Sequence, residues 1–127
     1  MAEVTTVEGY QYIFDPKVVT IITDRDASTG QTVTGVYGIT AAVVRIAETP
    51  DDFMSRLKIV GKFVKLTRPN ASPIWINAAA VSSLRLPLEN EYVDDVKTVV
   101  AVGKTGQGVT EAIDVVRPAL NSRGANL

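Results

Sequence analysis

Phe14-Asp15-Pro16-Lys17-Val18-Val19-Thr20 and Ile76-Asn77-Ala78-Ala79-Ala80-Val81-Ser82 share one frame: a large apolar residue, then Asp or Asn, then at the same spacing a valine followed by a hydroxyl residue. Asp and Asn side chains hydrogen-bond nearby backbone groups, so both stretches read as a strand, a side-chain-supported turn and a second strand. Two such frames in a chain of 127 residues point to a repeated, strand-rich module.

Working outward from the first frame, runs rich in Val, Ile, Thr and aromatics predict strands at Val4–Val7, Tyr10–Phe14, Val18–Thr23, Thr32–Tyr37 and Ile39–Ile46. The polar stretch Asp24 to Gly30 predicts a hairpin loop. A helix should follow: Thr49 can cap it, Pro50 suits its first position, and Asp51 and Asp52 oppose the positive dipole end, with Phe53, Met54 and Leu57 facing inward. The second frame repeats the order, with strands at Phe63–Thr67, Ile74–Asn77, Ala80–Leu86 and Thr98–Val102. Val109 then leads into a helix over Glu111 to Arg117 that Thr110 can cap, and Thr32-Val33 is matched by Thr98-Val99.

The fold class expected is therefore mainly β (α+β): two repeated small antiparallel modules, each ending in a short helix and packed as a pseudo-dimer. Residues 1–60 form the first module and 61–127 the second, which ends in a flexible C-terminal tail. A single module of about 60 residues buries little apolar surface, which favours packing of the two. Phe14, Ile22, Phe53, Leu57, Ile76, Leu84, Ile113 and Val116 are the expected core.

Within the second half, Val64-Lys65-Leu66-Thr67-Arg68-Pro69-Asn70-Ala71-Ser72-Pro73-Ile74-Trp75-Ile76-Asn77, a valine-rich hairpin and a terminal helix together resemble the FlbD-like family and small phage and bacterial proteins of that type. The likeness covers about residues 62 to 120. It implies a small β module with a flagellar association and carries no catalytic residue.

Composition narrows the chemistry. The chain contains no cysteine and no histidine, which removes disulfides, thiolate nucleophiles, and the commonest general base and metal ligand. The expectation is a non-enzymatic protein without a cofactor, a metal or a small-molecule substrate. A net charge of −1 gives no global attraction to nucleic acid or an anionic membrane. Met1 to Glu8 lacks the basic start and apolar core of a secretory signal, and no apolar run reaches the roughly 20 residues that span a bilayer, so a cytoplasmic origin and no membrane partner are expected.

Four local patterns are candidate sites. Leu86, Leu88 and Tyr92 are apolar residues in a long polar loop and are expected to contact a partner. Arg56, Lys58, Lys62, Lys65 and Arg68 form a basic run without an intervening acid, close to Trp75. They are the candidate nucleic-acid residues, although a solvated face is the simpler reading. Glu89, Glu91, Asp94 and Asp95 are rich in oxygen but lack the order of a calcium loop. Gly103-Lys104-Thr105-Gly106-Gln107-Gly108 ends like a phosphate loop, yet the earlier glycine of that motif would fall at Thr98, so a hairpin turn is expected. Together these readings favour a structural protein that assembles with itself or with a larger phage shell, such as a capsid decoration or connector protein located in the virion. The alternative is a regulatory adaptor binding RNA or a flagellar protein.

Overall fold

A computed structural model describes residues 1–25, 33–91 and 95–127. The chain is mainly β, its strands pair antiparallel within each of two compact units, Met1–Gly61 and Lys62–Leu127, and each unit contains one α-helix.

In the first unit, β1 (Ala2–Thr5) pairs with β2 (Gln11–Phe14), and a 3₁₀ turn over Pro16–Val18 leads into a meander of β3 (Ile21–Arg25), β4 (Val33–Tyr37) and β5 (Val44–Ile46). Helix α1 (Pro50–Leu57) follows and packs on β3. Its start follows the sequence signals, since Thr49 accepts a hydrogen bond from the Asp52 backbone N–H at 3.2 Å and Pro50 occupies the first turn. Phe53 is fully buried, with its ring 6.5 Å from that of Phe14.

In the second unit, β6 (Phe63–Thr67) pairs with β7 (Pro73–Asn77), a 3₁₀ turn spans Ala78–Ala80, and β8 (Val81–Arg85), β9 (Thr98–Val102) and β10 (Thr105–Val109) form the meander. Helix α2 (Ile113–Asn121) packs on β6 and β8. The order is that of the first unit: a strand pair, a 3₁₀ turn, a three-stranded meander, a helix.

The likeness extends to single hydrogen bonds. Asp15 Oδ1 accepts from Lys17 N at 3.0 Å, and Asn77 Oδ1 accepts from Ala79 N at 3.1 Å, so the paired Asx residues support turns as their frame predicts. The Thr20 hydroxyl donates to the Tyr37 carbonyl and the Ser82 hydroxyl to the Ala101 carbonyl. Thr34, buried in β4, donates its hydroxyl to the Glu48 carbonyl, while Thr98, buried in β9, donates to the Glu111 carbonyl at 2.8 Å. Thr34 is thus the counterpart of Thr98, which corrects the match of Thr98 to Thr32; Thr32 itself lies outside the described residues.

Other boundaries also move. The expected strand Ile39–Ile46 shrinks to Val44–Ile46. Of Gly103 to Gly108, expected as a hairpin turn, and Val109, expected as the lead into the helix, only Gly103-Lys104 form the turn, and Thr105–Val109 is a full strand. Gly103 takes φ +60° there, the positive angle such a two-residue hairpin needs at its first position. Helix α2 starts at Ile113 with Ala112 at its N-cap and no side-chain cap, so Thr110 stands two residues ahead of the capping position, with its N–H on the Thr67 carbonyl. The C-terminal residues fold back: Ala125 N donates to Leu120 O, and the Asn121 side chain bonds both the N–H and the C=O of Leu127.

Of the expected core, Phe14, Ile22, Phe53, Ile76 and Val116 are buried, whereas Leu57, Leu84 and Ile113 are half-buried. In α2 the inward positions are Val116 and Leu120, both fully buried. Phe53→Ala should cost about 3–5 kcal/mol in chemical denaturation. Ile113→Ala should cost less than half as much, and equal losses would place Ile113 in the core.

Candidate functional site

Strand β8 ends at Arg85, and the chain beyond it forms a short loop closed by a turn over Leu88–Glu91. The Glu91 N–H donates to the Leu88 carbonyl at 3.0 Å, and Asn90 takes φ +61° at the third turn position, where Asn is tolerated better than most residues. The Arg85 guanidinium reaches across the loop and donates to both Glu91 carboxylate oxygens at 2.6 Å. Glu91 also accepts the Leu88 N–H at 2.9 Å, and Arg85 donates to the Leu86 carbonyl at 3.2 Å. A planar fork on a carboxylate fixes orientation as well as distance.

This clamp presents two large apolar side chains to solvent: Leu86 is 63% exposed and Leu88 67% exposed. Exposed leucines on a mobile loop would lose conformational freedom on docking. Here the hydrogen bonds already restrict the backbone, so the ordering cost is lower. Tyr92, the third expected contact residue, lies outside the described residues, as does Asp94 of the acidic group. Glu91, read from sequence as one of four loop acids, is committed to Arg85 instead. Among the described residues no cluster of three or more acidic residues is placed to hold a metal ion.

The five residues of the basic run are divided between the units. Arg56 and Lys58 belong to the first, Lys62, Lys65 and Arg68 to the second. Arg56 is engaged by the Glu48 carboxylate through Nε at 2.9 Å and one terminal nitrogen at 2.7 Å, and its guanidinium carbon lies 5.9 Å from the centroid of the Phe53 ring. The Glu48 hydrogen bond raises the Arg56 pKa above its ordinary value. Lys58 ends α1 in the left-handed conformation, φ +59°, with its N–H on the Met54 and Ser55 carbonyls. Lys62 lies in a 3₁₀ turn, and Arg68 begins the β6–β7 turn. Lys65 faces its cross-strand partner Trp75, with Nζ 5.6 Å from the ring centroid, so the half-buried indole carries a lysine on one face.

A second polar feature was not anticipated. The Glu111 carboxylate accepts the Thr67 backbone N–H at 3.0 Å and the Thr67 hydroxyl at 2.8 Å, and the Thr67 carbonyl accepts Thr110 N–H at 2.9 Å. The end of β6 is thereby locked to the segment entering α2. In the first unit, Glu48 stands at the corresponding place but turns to Arg56. An open cleft of about 340 Å³ lies beside it.

Among the described residues no helix is long and apolar enough to cross a membrane. No protein-family model, curated protein or solved structure matches the chain.

The Arg85 hydrogen bond, followed by that from Leu88, holds the Glu91 carboxyl down at about 2. A depressed carboxylate stabilises the fold above its unfolded pKa, near 4.3, and loses that contribution as pH falls through about 2. The clamp should therefore stay charged throughout the neutral and mildly acidic range. An NMR titration of the Glu91 side chain should give a midpoint near 2 in the native chain and above about 3.5 in Arg85→Ala. Equal midpoints would show that Arg85 does not hold it.

Proposed function

We propose that the protein is a non-enzymatic assembly protein, a bacteriophage virion component such as a capsid decoration or connector protein, whose partners are its own copies or a larger phage shell. The observation that carries this reading is the clamped loop, which exposes Leu86 and Leu88 on a backbone held by Arg85 and Glu91. Large apolar side chains held outward on a restricted loop are suited to burial by a partner. The composition adds support, since neither histidine nor cysteine is present to act as base, nucleophile or metal ligand. The common element order favours reading the chain as two diverged copies of one module packed as a pseudo-dimer. Such a compact unit suits repeated placement on a shell, a step made by analogy.

One observation favours a second reading, a regulatory adaptor that binds RNA or a flagellar protein: Lys65 and Trp75 stand together on adjacent strands, a combination that single-stranded nucleic acid can use. A salt-sensitive mobility shift with RNA would select it.

Sedimentation of the purified chain tests the first reading. We expect an oligomer whose contact buries at least about 1,000 Å². Replacing Leu86 and Leu88 together by Asp should raise its dissociation constant at least about 100-fold, since each buried leucine contributes about 1.5–3 kcal/mol. An unchanged constant removes the loop from the contact, and a strictly monomeric native chain leaves docking onto a different protein.

A further inference from the structure

The two units differ at one equivalent place, and the difference has a chemical reading. The hydroxyls of Thr34 and Thr98 identify Glu48 and Glu111 as counterparts. The strand registers, Val4 opposite Tyr12 and Leu66 opposite Ile74, make Thr5 the counterpart of Thr67 and Glu3 that of Lys65. In the second unit, Glu111 closes on the N–H and hydroxyl of Thr67. In the first, the Glu48 carboxylate is held by Arg56, at a helix position that Ala119 fills in α2. What is a closed lock in one unit is an open cleft in the other.

Its chemistry follows from its lining. Val4 and Ile46, both buried, are apolar, while Glu3, Thr5, Gln11, Glu48 and Arg56 supply the polar surface. Two carboxylates against one guanidinium leave the cleft with a net negative charge. One Glu3 oxygen accepts the Gln11 amide at 3.0 Å, which leaves the other to face an incoming group. The strand edge adds backbone donors. Thr6 N donates to Tyr10 O, and in an antiparallel ladder such bonds alternate along the strand, so the N–H groups of Glu3 and Thr5 point away from β2. Among the described residues β1 has no strand partner other than β2, apart from the bridge from Thr6 to Ile46. The charge of the units agrees, with eight acidic and five basic residues in the first against six and eight in the second.

We propose that the free edge of β1 and the Glu3–Glu48 cleft form a docking groove for an extended, basic segment of another polypeptide. Its carbonyl takes the Thr5 N–H that faces outward, and its arginine or lysine side chain enters the cleft between Glu3 and Glu48. Strand addition supplies backbone hydrogen bonds, and because Arg56 balances Glu48, the Glu3 carboxylate beside that pair selects a cation. The proposal deepens the binding reading above but rests on a different surface from the Leu86–Leu88 loop, so either can fail without the other.

The experiment is an amide NMR titration of the full chain with the blocked peptide acetyl-Val-Thr-Arg-Thr-Val-amide and with its Glu-for-Arg counterpart. We expect saturable shifts at Glu3 and Thr5 with the arginine peptide, none with the glutamate peptide, and no change at Thr67. Glu3→Gln should weaken binding by about two- to fivefold, the size of one exposed ion pair. Thr5→Pro removes a donor that makes no ladder bond, a change an edge strand tolerates, and should abolish binding while the remaining spectrum stays native. Absence of shifts at Glu3 and Thr5 overturns the proposal. So does preference for the glutamate peptide, which would make the cleft a carboxylate site like that which Thr67 offers Glu111.

Discussion

Each helix of this protein is joined to its sheet by one buried threonine hydroxyl, Thr34 on the Glu48 carbonyl and Thr98 on the Glu111 carbonyl. The carbonyl ahead of each helix lies where the chain leaves the sheet, and the part-buried hydrogen bond on it contributes about 0.5–1.5 kcal/mol. The bond ties the residue that bears the glutamate side chain to the sheet, and the helices that follow bury Phe53 and Met54 in α1, Val116 and Leu120 in α2. With the backbone so held, the units can diverge in surface residues while keeping their order of elements.

That divergence is where the functional reading lies. Arg56 draws Glu48 away from the edge of β1, and the corresponding Ala119 cannot do the same to Glu111. Arg85 pairs with Glu91 and shapes a loop bearing two exposed leucines. An arginine–glutamate fork therefore acts in both units, in one opening a groove and in the other stiffening a projection. Both are properties of surfaces.

Much of this was legible in the order of residues. Thr49-Pro50-Asp51-Asp52 announces α1 because capping, proline and dipole effects act within one turn. The Asx turns were readable for the same reason. Strand β10 was obscured because Gly106 and Gly108 lower strand propensity, and its place is set instead by pairing with β9. Thr110 looks like the cap of α2 in sequence, but the capping position falls two residues later, at Ala112, and Thr110 instead joins the end of β6 through the Thr67 carbonyl. Leu86 and Leu88 stood out as apolar residues in a polar stretch. The clamp beneath them did not, since a loop gives the spacing of Arg85 and Glu91 no periodic signature. The Glu111–Thr67 lock joins residues far apart in sequence, which no local pattern announces.

Thr34 and Thr98 hold equivalent places in the two units. Thr34→Val and Thr98→Val keep size and shape while removing only the hydroxyl, and their unfolding free energies by chemical denaturation measure its contribution directly. Each substitution should cost about 0.5–1.5 kcal/mol, with the two losses alike, because each removes one part-buried hydrogen bond. A loss at one site with none at the other would contradict the shared plan, and with it the assignment of Glu48 and Glu111 as counterparts.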